Sequence, residues 1–185
     1  MKVTKLCVFD LDGTLWKINS HVAIVQKYKY RSFYRLVQPV EKIAAHVFPC
    51  QYQNYLNTSF DKIPRTFIDN YHFYYRIDAR QELEKRKSSG EKIIVISNAP
   101  PLILDVVARD LKVECLSAKI GEKDKALIKK NSKWDRLTVV TDNLSDASLL
   151  LLADEAIVYT PARRKASFDK LGLVIPVDYR PSDID

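Results

Sequence analysis

The sequence predicts a three-layer α/β/α fold, in which a parallel sheet lies between two layers of helices, together with a small all-helical insertion. Two observations lead to this prediction. Short apolar runs rich in Val and Ile alternate with helical segments from residue 77 onward. A similar run near the N-terminus is separated from them by a stretch of different composition. We therefore predict a core domain of residues 1–16 and 77–185 and a helical cap domain of residues 17–76.

The core elements follow one another in a regular order, with glycine and proline near several helix ends. The predicted strands are Val3–Asp10, Lys92–Ser97, Val113–Ser117, Leu137–Thr141, Ala156–Tyr159 and Leu173–Pro176. The predicted helices between them are Ala79–Ser89, Pro101–Asp110, Lys123–Lys130, Ser145–Ala153 and Pro161–Leu171. Strands and helices of these lengths are typical of a doubly wound sheet.

The predicted cap is basic and aromatic. Helical spacing covers His21–Val37, a second helix ends at Phe48, and further helical pieces surround Pro64. Residues 17–76 hold nine Lys or Arg against three Asp or Glu, and 13 of the 19 aromatic residues. Three interpretations stay open: the rings form the cap's own core, they line a pocket for a ring-bearing or apolar leaving group, or they form a surface for membranes or nucleic acid. Each is compatible with an anionic substrate.

Composition narrows the class of protein. A chain of 185 residues with 46% hydrophobic residues is long enough for one α/β core with an insertion. We expect a cytoplasmic protein, because no apolar window is long enough for a membrane span, and Asp10 and Asp12 interrupt the first apolar run. The three cysteines are widely spaced, so we expect neither a disulfide framework nor a zinc site.

The first strand ends in two carboxylates, Asp10 and Asp12, followed by Gly13 and Thr14. In a continuing strand, residues two apart point to the same side, so the two charges would repel. A metal ion or a shared proton would offset that repulsion. A solvated strand end or an Asx turn is the structural alternative.

Other polar residues follow other predicted strands. Ser97 and Asn98 end the second strand, Asp142 and Asp146 follow the fourth, and Lys123 and Lys125 begin the helix after the third. Ligands of doubly wound sheets bind outside the carboxyl ends of the strands, so we expect these groups at one edge. Each also has a structural alternative: a turn before two prolines, a helix N-terminus, or solvated surface lysines.

Four stretches in order resemble the haloacid dehalogenase-like (HAD) superfamily of aspartate-nucleophile phosphohydrolases. They are VFDLDGTL at residues 8–15, VISN at 95–98, the lysine of GEKDKAL at 121–127, and VVTDNLSD at 139–146. The insertion after the first stretch is similar to the cap of the phosphoserine-phosphatase-like branch. The resemblance implies a Rossmann-like core and Mg²⁺-dependent hydrolysis of a phosphomonoester through an aspartyl-phosphate. Phosphotransfer to another alcohol would use the same residues.

The resemblance also implies roles for individual residues. Asp10 would be the nucleophile and Asp12 the general acid and base. Mg²⁺ would be held by Asp10, the backbone carbonyl of Asp12, Asp142 and Asp146, the last directly or through water. The phosphate-binding residues would be Thr14, Ser97, Asn98 and Lys123. Lys123 is preferred because a leucine, Leu127, follows four residues later as in the family pattern, and Lys125 is the alternative.

One position departs from the family. Asn19 stands where phosphoserine phosphatases carry an acidic residue that reads the substrate's amine. We therefore expect a small phosphorylated substrate with a neutral or anionic leaving group rather than phosphoserine. The alternative function is a non-catalytic protein of this fold whose basic, aromatic cap docks to nucleic acid or an anionic membrane.

Overall fold

The computed structural model describes residues 4–30, 43–44, 46–130 and 133–182. The chain divides into two compact units, one of residues 1–18 and 73–185 and the other of residues 19–72. Residues 73–76 group with the first unit, because Tyr75 pairs with Trp16 in an antiparallel bridge and the Arg76 N–H donates to the Leu15 carbonyl at 2.8 Å.

The first unit is built on a six-stranded parallel sheet. Its strands are β1 (Lys5–Phe9), β2 (Lys92–Ser97), β3 (Glu114–Ser117), β4 (Arg136–Thr141), β5 (Glu155–Tyr159) and β6 (Val177–Arg180). The strand order is β3-β2-β1-β4-β5-β6. The chain therefore winds outward from β1 to one side and then crosses to the other, which puts the topological switch point between β1 and β4.

The helices among the described residues agree with the predicted alternation. They are α1 (Ser20–Tyr30), α2 (Pro49–Phe60), α3 (Arg65–Asp69), α4 (Ile77–Ser88), α5 (Pro101–Leu111), α6 (Lys123–Lys129), α7 (Ala147–Leu150) and α8 (Ala162–Asp169). No helix within the described ranges is both long and apolar enough to cross a membrane.

Beyond their first residues, β1, β2, β4 and β5 are buried on both faces of the sheet. On β1, Leu6 and Val8 belong to a core cluster with Leu127 of α6, Leu149 of α7 and Phe168 of α8. Alternate residues face the other side. There Arg86 of α4 donates to the hydroxyl of Thr138, a residue of β4, at 2.9 Å. Continuous burial on both faces explains why these strands read as unbroken apolar runs.

The prediction of a last strand at Leu173–Pro176 is wrong. The strand is β6, which begins at Val177. Proline has no N–H and cannot donate to a β-ladder. The Pro176 carbonyl still accepts from the Ala156 N–H at 3.0 Å. Pairing with β5 therefore starts at this carbonyl and continues from Val177 onward. Val174, in the middle of the predicted strand, is fully exposed.

The predicted helix Ser145–Ala153 begins differently and is shorter. A 3₁₀ turn spans Leu144–Asp146, and α7 follows it over Ala147–Leu150. The Asn143 side chain accepts from the Ser145 N–H at 3.0 Å and starts the turn. A tight turn directs Asp146 back toward the end of β4, where its carboxylate accepts from Thr141.

The second unit contains only helices and connections among its described residues. The predicted helix His21–Val37 is confirmed as far as Tyr30, and residues 31–37 lie outside the described residues. Residues 43–44 and 46–47 are helical, in agreement with a helix ending at Phe48. The rings of Tyr28 and Phe67 meet edge to face at 5.1 Å, so part of the aromatic content packs within this unit.

Candidate active site

Asp10 lies directly after β1 at the switch point and is 6% exposed. Its N–H donates to the Val140 carbonyl at 2.9 Å, which extends the pairing with β4. Its Oδ1 accepts from the Leu11 N–H at 2.7 Å and lies 2.8 Å from Lys123 Nζ. The carboxylate is thus buried and held by one backbone donor and one ammonium.

The two candidate lysines occupy different environments. Lys123 begins α6, is 5% exposed, and bridges Asp10 Oδ1 and Asp146 Oδ2 at 2.8 Å each. The Lys125 side chain is 70% exposed and pairs with Glu122 at 3.1 Å. The structure therefore brings Lys123, and not Lys125, to the carboxylates.

Asp146 is 1% exposed, and its two oxygens differ. Its Oδ2 accepts from the Thr141 hydroxyl at 2.6 Å and from Lys123 at 2.8 Å. Its Oδ1 is buried and has no hydrogen-bond partner among the described residues. Thr141 was not among the residues predicted for the site, although a threonine ending a buried strand beside Asp142 was a usable signal.

Asp142 and the loop after β1 fit closely together. Gly13 has a φ of +83°, and a Cβ added to it would lie 2.0 Å from Asp142 Oδ2. The Thr14 hydroxyl donates to Asp142 Oδ1 at 3.1 Å. Only glycine leaves room for this carboxylate, and the positive φ adds a second reason for glycine here.

The remaining predicted residues lie at the same edge of the sheet. Asp12 is half-buried and forms a backbone bridge with Trp16. Ser97 is buried at the end of β2, where its hydroxyl accepts from the Ala99 N–H at 3.2 Å. Asn98 follows it and is exposed. The serine hydroxyl therefore stabilises the local turn.

The carboxylates carry more negative charge than Lys123 neutralises. Burial, against the opposing effect of Lys123 and with smaller contributions from Asp146 and Asp142, raises the pKa of Asp10 to about 7. Burial likewise raises the pKa of Asp142 to about 6, against the Thr14 hydrogen bond. Burial alone would lower the pKa of Lys123, but the two carboxylates that it bridges raise it overall.

The donor set suits a hard cation such as Mg²⁺, which prefers oxygen ligands. No three His, Cys, Asp or Glu side chains in the described ranges already form a metal-binding group. The Lys123 ammonium between Asp10 and Asp146 holds these two carboxylates instead. The buried, unpaired Oδ1 of Asp146 and the raised pKa of Asp10 both fit an added positive charge.

Asn19 has a local structural role. Its side-chain Oδ1 accepts from the Val22 N–H at 3.0 Å, directly before the start of α1. This is the contact of a helix N-cap, a position where asparagine is favoured. Capping of α1 is therefore a sufficient structural reason for an asparagine at this position.

No protein-family model and no curated protein matches this chain. Solved structures do match. One is a protein of unknown function from Bordetella pertussis Tohama I, with a TM-score of 0.65, 10% identity, and coverage of 96% of this chain and 99% of that one. Another is a phospho-aspartyl intermediate analogue of phosphoserine phosphatase, with a TM-score of 0.61, 17% identity, and coverage of 97% and 96%. A third is a HAD family hydrolase from Salmonella enterica serovar Typhi, with a TM-score of 0.62, 12% identity, and coverage of 90% and 66%. At these identities the likeness shows the fold.

Proposed function

We propose that this chain, whose fold is HAD-like, is a Mg²⁺-dependent phosphomonoesterase that works through an aspartyl-phosphate on Asp10. The observation that carries the proposal is the buried cluster in which Lys123 bridges Asp10 and Asp146 at 2.8 Å each, while Asp146 Oδ1 has no hydrogen-bond partner within the described part of the chain. A buried group of like charges beside one lysine is costly for a scaffold and useful for phosphoryl transfer.

In the first step, an Asp10 carboxylate oxygen forms a bond to phosphorus while the bond from phosphorus to the leaving oxygen breaks. Asp12 gives its proton to that leaving oxygen. In the second step, water forms a bond to the phosphorus of the aspartyl-phosphate, the bond from phosphorus to the Asp10 oxygen breaks, and Asp12 accepts a proton from the water. Inorganic phosphate leaves, and the Asp10 carboxylate and protonated Asp12 are restored.

The other residues hold the phosphoryl group and the nucleophile. Lys123 lies 2.8 Å from Asp10, so its ammonium can orient this carboxylate and also offset charge on a phosphoryl oxygen. Thr14, Ser97 and Asn98 would bind phosphoryl oxygens at the edge of the sheet. The hydroxyls of Thr14 and Ser97 are buried and locally bonded, which supports fixed positions for them.

Mg²⁺, when bound, would neutralise the carboxylates and the phosphate so that an anion can approach an anion. The residues that would hold it are Asp10, the backbone carbonyl of Asp12, Asp142 and Asp146. Support comes from the raised pKa values of Asp10 and Asp142, because burial disfavours their charged forms by more than Lys123 and the local hydrogen bonds offset.

We propose a small phosphorylated substrate with a neutral or anionic leaving group. Asn19 carries no charge for an ammonium, and its side-chain oxygen is engaged in capping α1. The similarity to a phosphoserine phosphatase is one of fold and does not select phosphoserine. The cytoplasmic location predicted from the sequence stays a prediction.

The test is hydrolysis of an aryl phosphate with and without Mg²⁺. We expect Mg²⁺-dependent turnover by the wild type and a loss of about 10⁴-fold or more in Asp10→Asn, because the nucleophile is removed. Asp135→Asn is the matched control, since Asp135 is exposed directly before β4 and its carboxylate accepts from the Thr4 N–H at 2.6 Å. Turnover that is the same with and without Mg²⁺, or the same in the wild type and Asp10→Asn, would overturn the proposal. It would favour the alternative of a non-catalytic protein that binds nucleic acid or an anionic membrane.

A panel of sugar, nucleotide, lipid and amino-acid phosphates tests the substrate class. We expect weak activity on phosphoserine relative to esters with neutral or anionic leaving groups. Turnover of phosphoserine far above the other compounds would show that Asn19 does not exclude an amine.

A further inference from the structure

Thr141 ends β4 and is 1% exposed. Its hydroxyl accepts from the Asn143 N–H at 3.1 Å and donates to Asp146 Oδ2 at 2.6 Å. A hydroxyl has a single proton to give. The backbone contact therefore fixes the oxygen of Thr141, and its one proton is committed to Asp146.

The two oxygens of Asp146 consequently differ in function. Oδ2 accepts from both Thr141 and Lys123, at 2.6 and 2.8 Å. Oδ1 is buried, and none of the residues that the structure describes forms a hydrogen bond with it. Leaving a buried acceptor unpaired is unfavourable, because the group has lost its water without gaining a partner. The two donors on Oδ2 hold the carboxylate in this orientation. Without them, the carboxylate would rotate until Oδ1 also found a donor.

We propose that Thr141 is a positioning residue that directs Asp146 Oδ1 toward a divalent cation, held directly or through one water. The inference deepens the proposed function and rests on it, because the cation is the Mg²⁺ of that reaction. Lys123 cannot replace the hydroxyl, since its ammonium is shared between Asp146 and Asp10 and would follow either carboxylate if it moved.

The decisive variant is Thr141→Val, which keeps the shape of the side chain and removes the donor. Loss of a group that orients a metal ligand weakens metal binding by about 10–100-fold. We expect Thr141→Val to raise the Mg²⁺ dissociation constant by that factor. Thr141→Ser keeps the hydroxyl, and we expect it to bind Mg²⁺ within about threefold of the wild type.

Thr138→Val is the matched control in the same strand. Its hydroxyl also lies on a buried β4 side chain, but it accepts from Arg86 at 2.9 Å and donates to Glu155 at 3.3 Å. Its loss disturbs β4 without touching Asp146. We expect Thr138→Val to lower the melting temperature and to leave Mg²⁺ affinity unchanged.

The measurement is calorimetric titration of each purified protein with MgCl₂ at one pH and ionic strength, without substrate. Turnover of an aryl phosphate at varied Mg²⁺ is the second readout. In Thr141→Val we expect the half-activating Mg²⁺ concentration to rise by the same factor as the dissociation constant. We expect kcat at saturating Mg²⁺ to fall by a smaller factor than that. Thr141→Ala replaces the valine variant if the latter does not fold, with the same expectation.

Three results would overturn the inference. Wild-type Mg²⁺ affinity in Thr141→Val would remove the role of the hydroxyl while leaving the proposed function intact. Equal weakening in Thr138→Val would show a general effect of disturbing β4. Absence of Mg²⁺ binding in the wild type would contradict the proposed function itself, and this inference with it.

Discussion

The two edges of the sheet bury similar groups with opposite results. At the carboxyl edge, one ammonium serves three carboxylates: Lys123 contacts Asp10 and Asp146 at 2.8 Å each and affects Asp142 only through its charge. Near the amino ends of the strands, three carboxylates pair with one guanidinium: Glu82, Glu91 and Glu155 lie 2.7, 3.2 and 2.8 Å from Arg86. Composition alone does not separate the two clusters.

The difference lies in how many acceptors the cation satisfies. Arg86 has five N–H donors in a planar fork and reaches all three glutamates as well as the Thr138 hydroxyl. Burial by itself would raise the pKa of Glu82, but hydrogen bonds from Arg86 and Arg180 lower it overall. Lys123 reaches two carboxylates, and the pKa of Asp10 is raised to about 7. At the amino ends of the strands each of the three carboxylates has a cationic partner. At the carboxyl edge the charge of the carboxylates is only partly compensated, so a further cation would stabilise them.

Removing Arg86 should have the largest effect on folding. Arg86→Met would leave Glu82, Glu91 and Glu155 without their shared partner, and breaking a buried ion pair in this way costs about 3–5 kcal/mol. Urea unfolding followed by circular dichroism measures the loss. Turnover per folded molecule should stay at the wild-type value, and a stability change under about 1 kcal/mol would show that this network contributes little.

Removing Lys123 should lower activity rather than stability. Lys123→Met takes away the ammonium that bridges Asp10 and Asp146, so we expect turnover to fall about 10²–10³-fold. Steady-state kinetics at saturating Mg²⁺ measures this, with Lys125→Met as the control because Lys125 is exposed and pairs with Glu122. The proposed site would be refuted if the Lys125 variant lost more activity than the Lys123 variant.

A glycine pair tests the close packing of the carboxyl edge. Gly13→Ala would bring a Cβ to 2.0 Å from Asp142 Oδ2, so Asp142 must move, and we expect about 100-fold lower turnover. Gly90→Ala is matched in backbone strain, with a φ of +81°, but its Cβ would meet nothing within 4 Å. We expect Gly90→Ala to lower the free energy of unfolding by about 1–2 kcal/mol and to leave turnover unchanged. Equal loss of activity in both variants would mean that strain, rather than Asp142, explains the effect.

The smallest expected effect concerns pH. Because hydrogen bonds from Arg86 and Arg180 lower the pKa of Glu82 against the effect of burial, its ionised form contributes stability above the pKa of the unfolded chain, and this contribution is lost as pH falls through the folded-state pKa. Glu82→Gln should therefore be less stable than the wild type near neutral pH, by on the order of 1 kcal/mol. The gap should narrow in acid. Urea unfolding at pH 3 and pH 7 measures it, and a gap that widens at low pH would contradict the assignment.

Much of the fold could be predicted from the sequence because each strand carries its own local signal. β2 has the predicted bounds, Lys92–Ser97, and β4 differs by one residue at its start. The last strand was misplaced because the apolar run before Pro176 resembles a strand, while the pairing residues Val177–Arg180 include two charged side chains. A short edge strand has weak local preferences, so its position depends on its partner.

The sequence by itself determined the doubly wound sheet and the set of polar residues at its carboxyl ends, since parallel strands put those ends at one edge. Tertiary structure alone decided that Lys123 rather than Lys125 meets Asp10, that Thr14 meets Asp142 across 128 positions, and that Asp146 keeps one oxygen unpaired. The Arg86 network, which joins residues up to 69 positions apart, was also visible only in the folded chain. The physical reason is that hydrogen bonds act over about 3 Å, so a partner depends on side-chain geometry that no local pattern encodes.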